Sequence, residues 1–155
     1  MRYVFLSLLF FILSVVADFL LSPVFRLGTS RPEFLLLFVY FISLYRGRWY
    51  GLVYGFLSGF LLDLHNPESL GIRIVVFTSI GYFLQEYRDR FYRYRPTSLL
   101  LLFGASIFYH FFLVLFSPLP FSSLFTRGLP SSLLDLLFAY PVFLLILLRK
   151  SRDEV

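Results

Sequence analysis

A chain of 155 residues that is 59% hydrophobic and 22% aromatic, with a mean hydropathy of +0.81, lies outside the range of soluble domains and reads as an integral membrane protein. Its net charge of +5 comes from 14 basic against 9 acidic residues. The absence of cysteine excludes disulfides and thiolate metal sites and leaves the redox compartment open.

Apolar segments bounded by Pro, Gly and Arg run over roughly 3–25, 33–45, 49–64, 70–87, 97–118 and 131–148. Six candidate spans make the expected fold all-α: a polytopic membrane protein with six transmembrane helices in one integral-membrane domain, 1–155. The first segment opens like a secretory leader, with Val15 and Ala17 as a poor cleavage pair. Its apolar run continues to Phe25, longer than a leader's apolar core, so it is read as a retained helix. Ser14, Asp18 and Ser22 form a polar i, i+4 row on it. The second and third segments are short, since thirteen residues rise only about 20 Å against a hydrocarbon core of about 30 Å. They are expected to dip or to extend through Arg46 and Trp49.

The third segment places Gly51, Gly55 and Gly59 four apart, with Asp63 four further on and Gly71 after the loop. Each glycine costs a helix roughly 1 kcal/mol relative to alanine. A row of them lets two helix backbones approach and gain dispersion contacts that lipid cannot supply. Ser58 widens the small patch. Two readings stay open: packing within the monomer, or docking of another protein's helix. In either, the outer end near Asp63 is expected to adjoin the place where a partner enters. The loop "EYRDRFYRYRP" mixes arginines and aromatics, which reads as a juxtamembrane segment attracted to anionic lipid rather than as a nucleic-acid site. Seven prolines fall at segment ends or between segments, whereas Pro141 lies inside the last and predicts a kink.

With the N-terminus inside, ten basic residues (Arg2, Arg46, Arg48, Arg88, Arg90, Arg93, Arg95, Arg149, Lys150, Arg152) are cytoplasmic and four (Arg26, Arg31, Arg73, Arg127) are outside. Tyr45, Trp49, Tyr50, Tyr87, Tyr92 and Tyr94 flank the inner arginines as an interfacial belt. On this map Asp18, Asp63, Arg73, His110 and Asp135 all lie in the outer half. Arg73 is the basic group at that depth, and an unpaired charge there costs at least about 2.5 kcal/mol, so it is expected to pair with Asp63 or Asp18. "DLHNPE" offers Asp63, His65 and Glu68 as metal ligands. The spacing matches no zinc pattern, however, and Asp63, Asn66 and Pro67 equally read as a helix end entering a turn. There is no H-E-x-x-H, G-x-S-x-G or phosphate loop, and the aspartates lack an intramembrane-protease signature. No catalytic residue, metal or cofactor is assigned.

"RPEFLLLFVYFISLYRGRWYG" followed by "GFLSGFLLDLHNPESLG" and "IRIVVFTSIGYFLQ" resembles the MreD family of the bacterial rod-shape and cell-elongation machinery over Pro32 to Gln85. Gly55, Gly59, Asp63 and Gly71 occupy the family's glycine, aspartate and post-loop glycine positions. Outside 32–85 the likeness is one of length and hydropathy. The resemblance implies a non-catalytic scaffold in the cytoplasmic membrane that associates with MreC, a single-span protein with a periplasmic coiled coil and β domain. Through it the scaffold would help to control the RodA polymerase and its class B penicillin-binding transpeptidase. Lipids are the other expected neighbours, nucleic acid is not, and homo-oligomerisation stays open. Helices of this family resemble those of the substrate-binding components of energy-coupling-factor vitamin transporters, which supplies an alternative reading. Those components share a row of small residues, often alanines, on the first helix, where this chain has Phe5, Leu9 and Leu13; its alanines are Ala17, Ala105 and Ala139. A small proton-coupled carrier is a further alternative, resting on the outer-half polar groups.

The charge distribution gives a direct test of topology. In single-cysteine variants, Thr126→Cys is expected to react with a membrane-impermeant thiol reagent added to intact cells and Thr97→Cys is not; labelling at residue 97 would overturn the map.

Overall fold

The structure, a computed structural model, describes residues 2–65, 71–87, 95–116 and 119–153. They form six α-helices: α1 (Arg2–Leu20), α2 (Phe34–Arg46), α3 (Arg48–His65), α4 (Ile72–Phe83), α5 (Arg95–Phe116) and α6 (Leu129–Asp153). Among the described residues there is no strand, only a bridge between Leu27 and Ser30. Asn66, Pro67 and Glu68 between α3 and α4 lie outside the described residues, as do Arg88, Arg90, Tyr92, Arg93 and Tyr94 between α4 and α5.

Helix ends differ from the apolar segments where backbone chemistry overrides hydropathy. α1 stops at Leu20 because Pro23 cannot continue a helical ladder, and the chain turns with Leu21 and Ser22 both donating to the Ala17 carbonyl (2.8 and 3.1 Å). α4 tightens into a 3-10 turn over Leu84–Tyr87. α6 begins earlier than its apolar run, fed by a π-type turn over Leu124–Gly128, and continues past Pro141 to Asp153. A single residue, Gly47, separates α2 from α3. Its φ of +102° lies in the region that L side chains rarely adopt, which is why glycine closes so short a hairpin. α3 runs from Arg48 to His65, longer than its apolar run suggests.

α2 is apolar all round, and a helix of that kind must be enclosed. Leu35, Leu36 and Val39 are fully buried, and α1, α3, α4, α5 and α6 all touch α2. Phe11 of α1, Phe38 of α2 and Tyr54 of α3 form a triangle of rings with centroids 5.3–5.6 Å apart. Ser7 and Tyr54 hydrogen-bond at 2.9 Å beside it. Tyr40 donates to the Ser98 carbonyl of α5, and Phe77 of α4 meets Tyr109 of α5 edge-on at 5.2 Å.

The polarity of this packing is inverted relative to a water-soluble protein. Ser7, Asp18, Ser43, Ser58, Asp63, Arg73, Ser106 and Asp135 are buried, whereas Phe5, Leu9, Leu13, Phe56, Phe60, Leu100 and Leu137 are exposed. That distribution suits a hydrocarbon solvent. The stretches Ser98–Phe116 and Leu124–Leu145 are long and apolar enough to cross a bilayer, and the apolar helices Val4–Leu20, Phe34–Arg46 and Ile72–Phe83 are shorter.

α3 and α4 approach most closely. A Cβ at Gly55 would stand 2.5 Å from the Phe77 carbonyl oxygen, one at Gly59 2.5 Å from the Ile74 Cα, and one at Gly51 would run into the Gly81 carbonyl. Gly81 is blocked in turn by the Gly51 carbonyl. The α4 partner's number falls as the α3 glycine's rises, so the two helices are antiparallel. At the Gly51 end, Ser43 of α2 donates to the Gly81 carbonyl at 2.6 Å and locks three helices together. The glycine row is therefore filled by α4 along its length, and it is not an open face for another protein's helix.

Steric contact between backbones tolerates no side chain. Gly55→Leu, Gly59→Leu and Gly81→Leu are each expected to cost about 1–3 kcal/mol or more and to lower the folded yield in detergent. Leu57→Ile, on the exposed face of α3, is expected to be absorbed. Thermal melts of the purified variants check both, and well-folded leucine variants would contradict the close approach.

Candidate functional site

Helix starts leave backbone N–H groups without partners, and in a bilayer no water supplies them. α2 and α4 begin with this problem unsolved locally. Glu33, at the start of α2, makes no capping bond with its own side chain, and Gly71, at the start of α4, has none to offer. Gly71 is needed there for its φ of +91°.

Aspartates from other helices complete both starts. Asp63, at the end of α3, accepts the Gly71 N–H at 2.9 Å and the Ile74 N–H at 3.2 Å through one carboxylate oxygen, Oδ2. Asp18 of α1 accepts the Phe34 N–H at 2.9 Å, and Asp135 of α6 accepts the Glu33 N–H at 2.7 Å. The second Asp135 oxygen accepts the Ser106 hydroxyl of α5 at 2.6 Å. Asp63 and Asp135 are fully buried, and Asp18 nearly so. A carboxyl oxygen at a helix N-terminus also meets the positive end of the helix dipole, so each contact adds a dipole interaction to the hydrogen bond.

Arg73 plays the converse part. Its Nη1 donates to the Leu62 carbonyl at 2.8 Å, one of the last four carbonyls of α3. Among the described residues no ion pair joins Arg73 to Asp63 or Asp18, which corrects the expected salt bridge. The reason is that each charge has a helix end at hand. Asp63 Oδ2 is engaged at the start of α4 and Arg73 Nη1 at the end of α3, while Asp63 Oδ1 and Arg73 Nε are buried without a hydrogen-bond partner among the described residues.

His110, a turn beyond Ser106 on α5, places Nδ1 2.9 Å from the Ser106 carbonyl and is covered by Gly128, where a Cβ would stand 3.1 Å from the His110 Cβ. The five residues expected at one depth thus divide into two sets: Asp18, Asp135 and His110 around the start of α2, and Asp63 with Arg73 at the α3–α4 junction. Among the described residues no hydrogen bond or ion pair connects the sets. His65 is exposed and packs on Phe19, with ring centroids 4.6 Å apart. Among the described residues no group of His, Asp or Glu is disposed to hold a metal ion. Ser14, in the polar row of α1, bonds back to the Phe10 carbonyl at 2.9 Å, whereas Ser22 donates to the Pro32 carbonyl at 2.8 Å and helps to hold the loop before α2.

Several participants escaped the sequence. Ser106 stands four before His110 in an apolar run, and its spacing carried the signal. Gly81 and Ser43 offered only small size. Glu33, buried and 3.8 Å from Arg31, followed Pro32 as a helix-start residue would.

The sequence matches the family described as rod shape-determining protein MreD over residues 1–150 of the 155, and the chain belongs to that family. Searches of curated proteins and of solved structures gave no match.

The capping role separates two substitutions at one position. Asp63→Asn keeps an acceptor oxygen for the Gly71 and Ile74 N–H groups. Asp63→Ala leaves both without it, at about 1–3 kcal/mol for each buried donor. Thermal melts in detergent are expected to rank wild type, then Asn, then Ala. An alanine variant as stable as wild type would show that the carboxylate does not hold the start of α4.

Proposed function

We propose that this MreD-family membrane protein is a non-catalytic scaffold of the bacterial cell-elongation complex, built as one integral-membrane domain over 1–155. In this reading it crosses the cytoplasmic membrane six times with both termini inside, its helices arranged like those of energy-coupling-factor substrate-binding components. It binds MreC, and through MreC it bears on peptidoglycan synthesis by RodA and the class B penicillin-binding transpeptidase.

Family membership supports the rod-shape role. The observation that carries the scaffold reading is the use made of the buried charges. Asp18, Asp63, Arg73 and Asp135 are bonded to helix ends of the chain itself, so the polar interior holds the fold together. The glycine row is taken by α4, so the proposed MreC contact lies beside it, at the outer end of α3, where Leu64 and His65 are exposed next to Asp63.

The vitamin-transporter alternative draws less support. Phe5, Leu9 and Leu13 stand exposed and bulky on α1, where close docking of a transporter helix needs small residues. The carrier alternative needs a titrating group free to exchange protons, and each of the outer aspartates has one oxygen held by backbone donors.

Extraction in mild detergent followed by affinity purification of this chain is expected to retain MreC. Leu64→Glu should weaken that retention while leaving the melt unchanged. A bound vitamin without a protein partner would replace this reading with the transporter. A proton leak in liposomes that Asp63→Asn abolishes would replace it with the carrier.

A further inference from the structure

The connections at the Asp18 and Asp135 end carry large apolar side chains that are exposed. Val24 and Leu27, between α1 and α2, are 73% and 68% exposed; Phe121 and Phe125, between α5 and α6, are 62% and 60% exposed. The two loops are tied together. Ser30 donates to the Arg127 carbonyl at 3.2 Å, and the Arg31 N–H donates to Ser131 Oγ at 3.3 Å. Leu27 and Ser30 exchange backbone hydrogen bonds of 2.9 and 3.1 Å that close the first loop into a tight turn.

Among the described residues, exposed charge at this rim has one sign. Arg26 and Arg127 are exposed, and among the described residues neither is ion-paired. Arg26 spends only Nε, on the Gly28 carbonyl at 2.7 Å. Among the described residues of the same end the carboxylates, Asp18, Glu33, Asp63 and Asp135, are buried, and Glu33 is already paired with Arg31. His110 is buried as well. What the rim offers outward is therefore guanidinium and hydrocarbon, at the level where the helices end.

We propose that this rim is an interfacial anchor that seats in the headgroup layer and holds the phosphates of anionic phospholipids. Val24, Leu27, Phe121 and Phe125 lie below the headgroups, where their area leaves water. Arg26 and Arg127 meet the phosphates at the same depth, and a guanidinium fork matches two phosphate oxygens at once. Neither element suffices alone. An apolar rim would bind any lipid, and two arginines without it would be screened in water. Each arginine near a charged surface enriches anionic lipid about fivefold. The proposal depends on the membrane location of the chain and not on MreC.

The experiment uses a fluorescent reporter in the full chain. Trp49→Phe removes the single tryptophan, and Phe125→Trp installs one in the rim. The protein is reconstituted in phosphatidylcholine vesicles doped with a minor, equal fraction of brominated phosphatidylglycerol or brominated phosphatidylcholine. Quenching by the brominated phosphatidylglycerol is expected to be about fivefold or more the stronger of the two. The preference should vanish in Arg26→Gln/Arg127→Gln and in high salt. Equal quenching by the two lipids would overturn the preference for anionic phospholipid, and with it the proposed role of Arg26 and Arg127. Absence of quenching by either would place the rim clear of the bilayer and would overturn the anchor itself. Should the arginine variant not fold, the lipid comparison and its salt dependence on the intact rim still decide.

Discussion

A helix that starts in the packed interior of a bundle has N–H groups with no water to take them, and the architecture of this protein is organised around that constraint. α2 is enclosed by the other five helices and α4 follows a glycine, so neither start is completed by its own N-cap side chain. Asp18, Asp135 and Asp63 each reach from a different helix to do it. Each contact fixes a relative position of two helices, because the donor and the acceptor belong to different elements. With Ser106 adding α5 to the Asp135 contact, α1, α5 and α6 all converge on the first turn of α2. Here the buried charge is a joint: it sets where helices begin and which neighbours they keep.

The glycine row works by the opposite means. α3 and α4 touch through backbone atoms, with Gly51, Gly55 and Gly59 facing Gly81, Phe77 and the Arg73–Ile74 peptide. Dispersion between backbones is available only when side chains are absent, and it supplies in lipid some of what hydrophobic burial supplies in water. The two devices meet at one end. Asp63 caps α4 from α3, and Arg73 of α4 bonds the Leu62 carbonyl of α3, so a pair of helices held by shape along its length is held by charge at its end. That combination explains why opposite charges this close in sequence and depth need not bond to each other.

The proposed scaffold role accords with a polar interior committed to structure and an apolar exterior left open. Tyr40, Phe77 and Tyr109 fill the core, while the long helices α5 and α6 leave Leu100, Leu133 and Leu137 uncovered. The same division separates two kinds of arginine. Arg73 is buried and serves a helix end; Arg26 and Arg127 are exposed on the loops. Sequence position alone gave all of them one depth, and burial gave them different tasks.

Composition and pattern determined the class: a hydropathy of this size has no soluble solution, and apolar runs cut by Pro, Gly and Arg located all six helices. The small-residue row and the buried aspartates were legible too, because both are costly inside a helix and persist only with a partner. What partner each has was decided in three dimensions. Gly51 meets Gly81, Asp135 meets the Glu33 N–H and Arg73 meets a carbonyl across gaps in sequence that no local pattern spans. The expected salt bridge failed on the same ground, since side-chain charges can be counted from a sequence but the unpaired backbone groups competing for them appear only once helices end and pack. Sequence thus fixes which residues demand a partner, through the cost of burying them, and tertiary structure decides who answers, through which helix ends come within hydrogen-bonding distance.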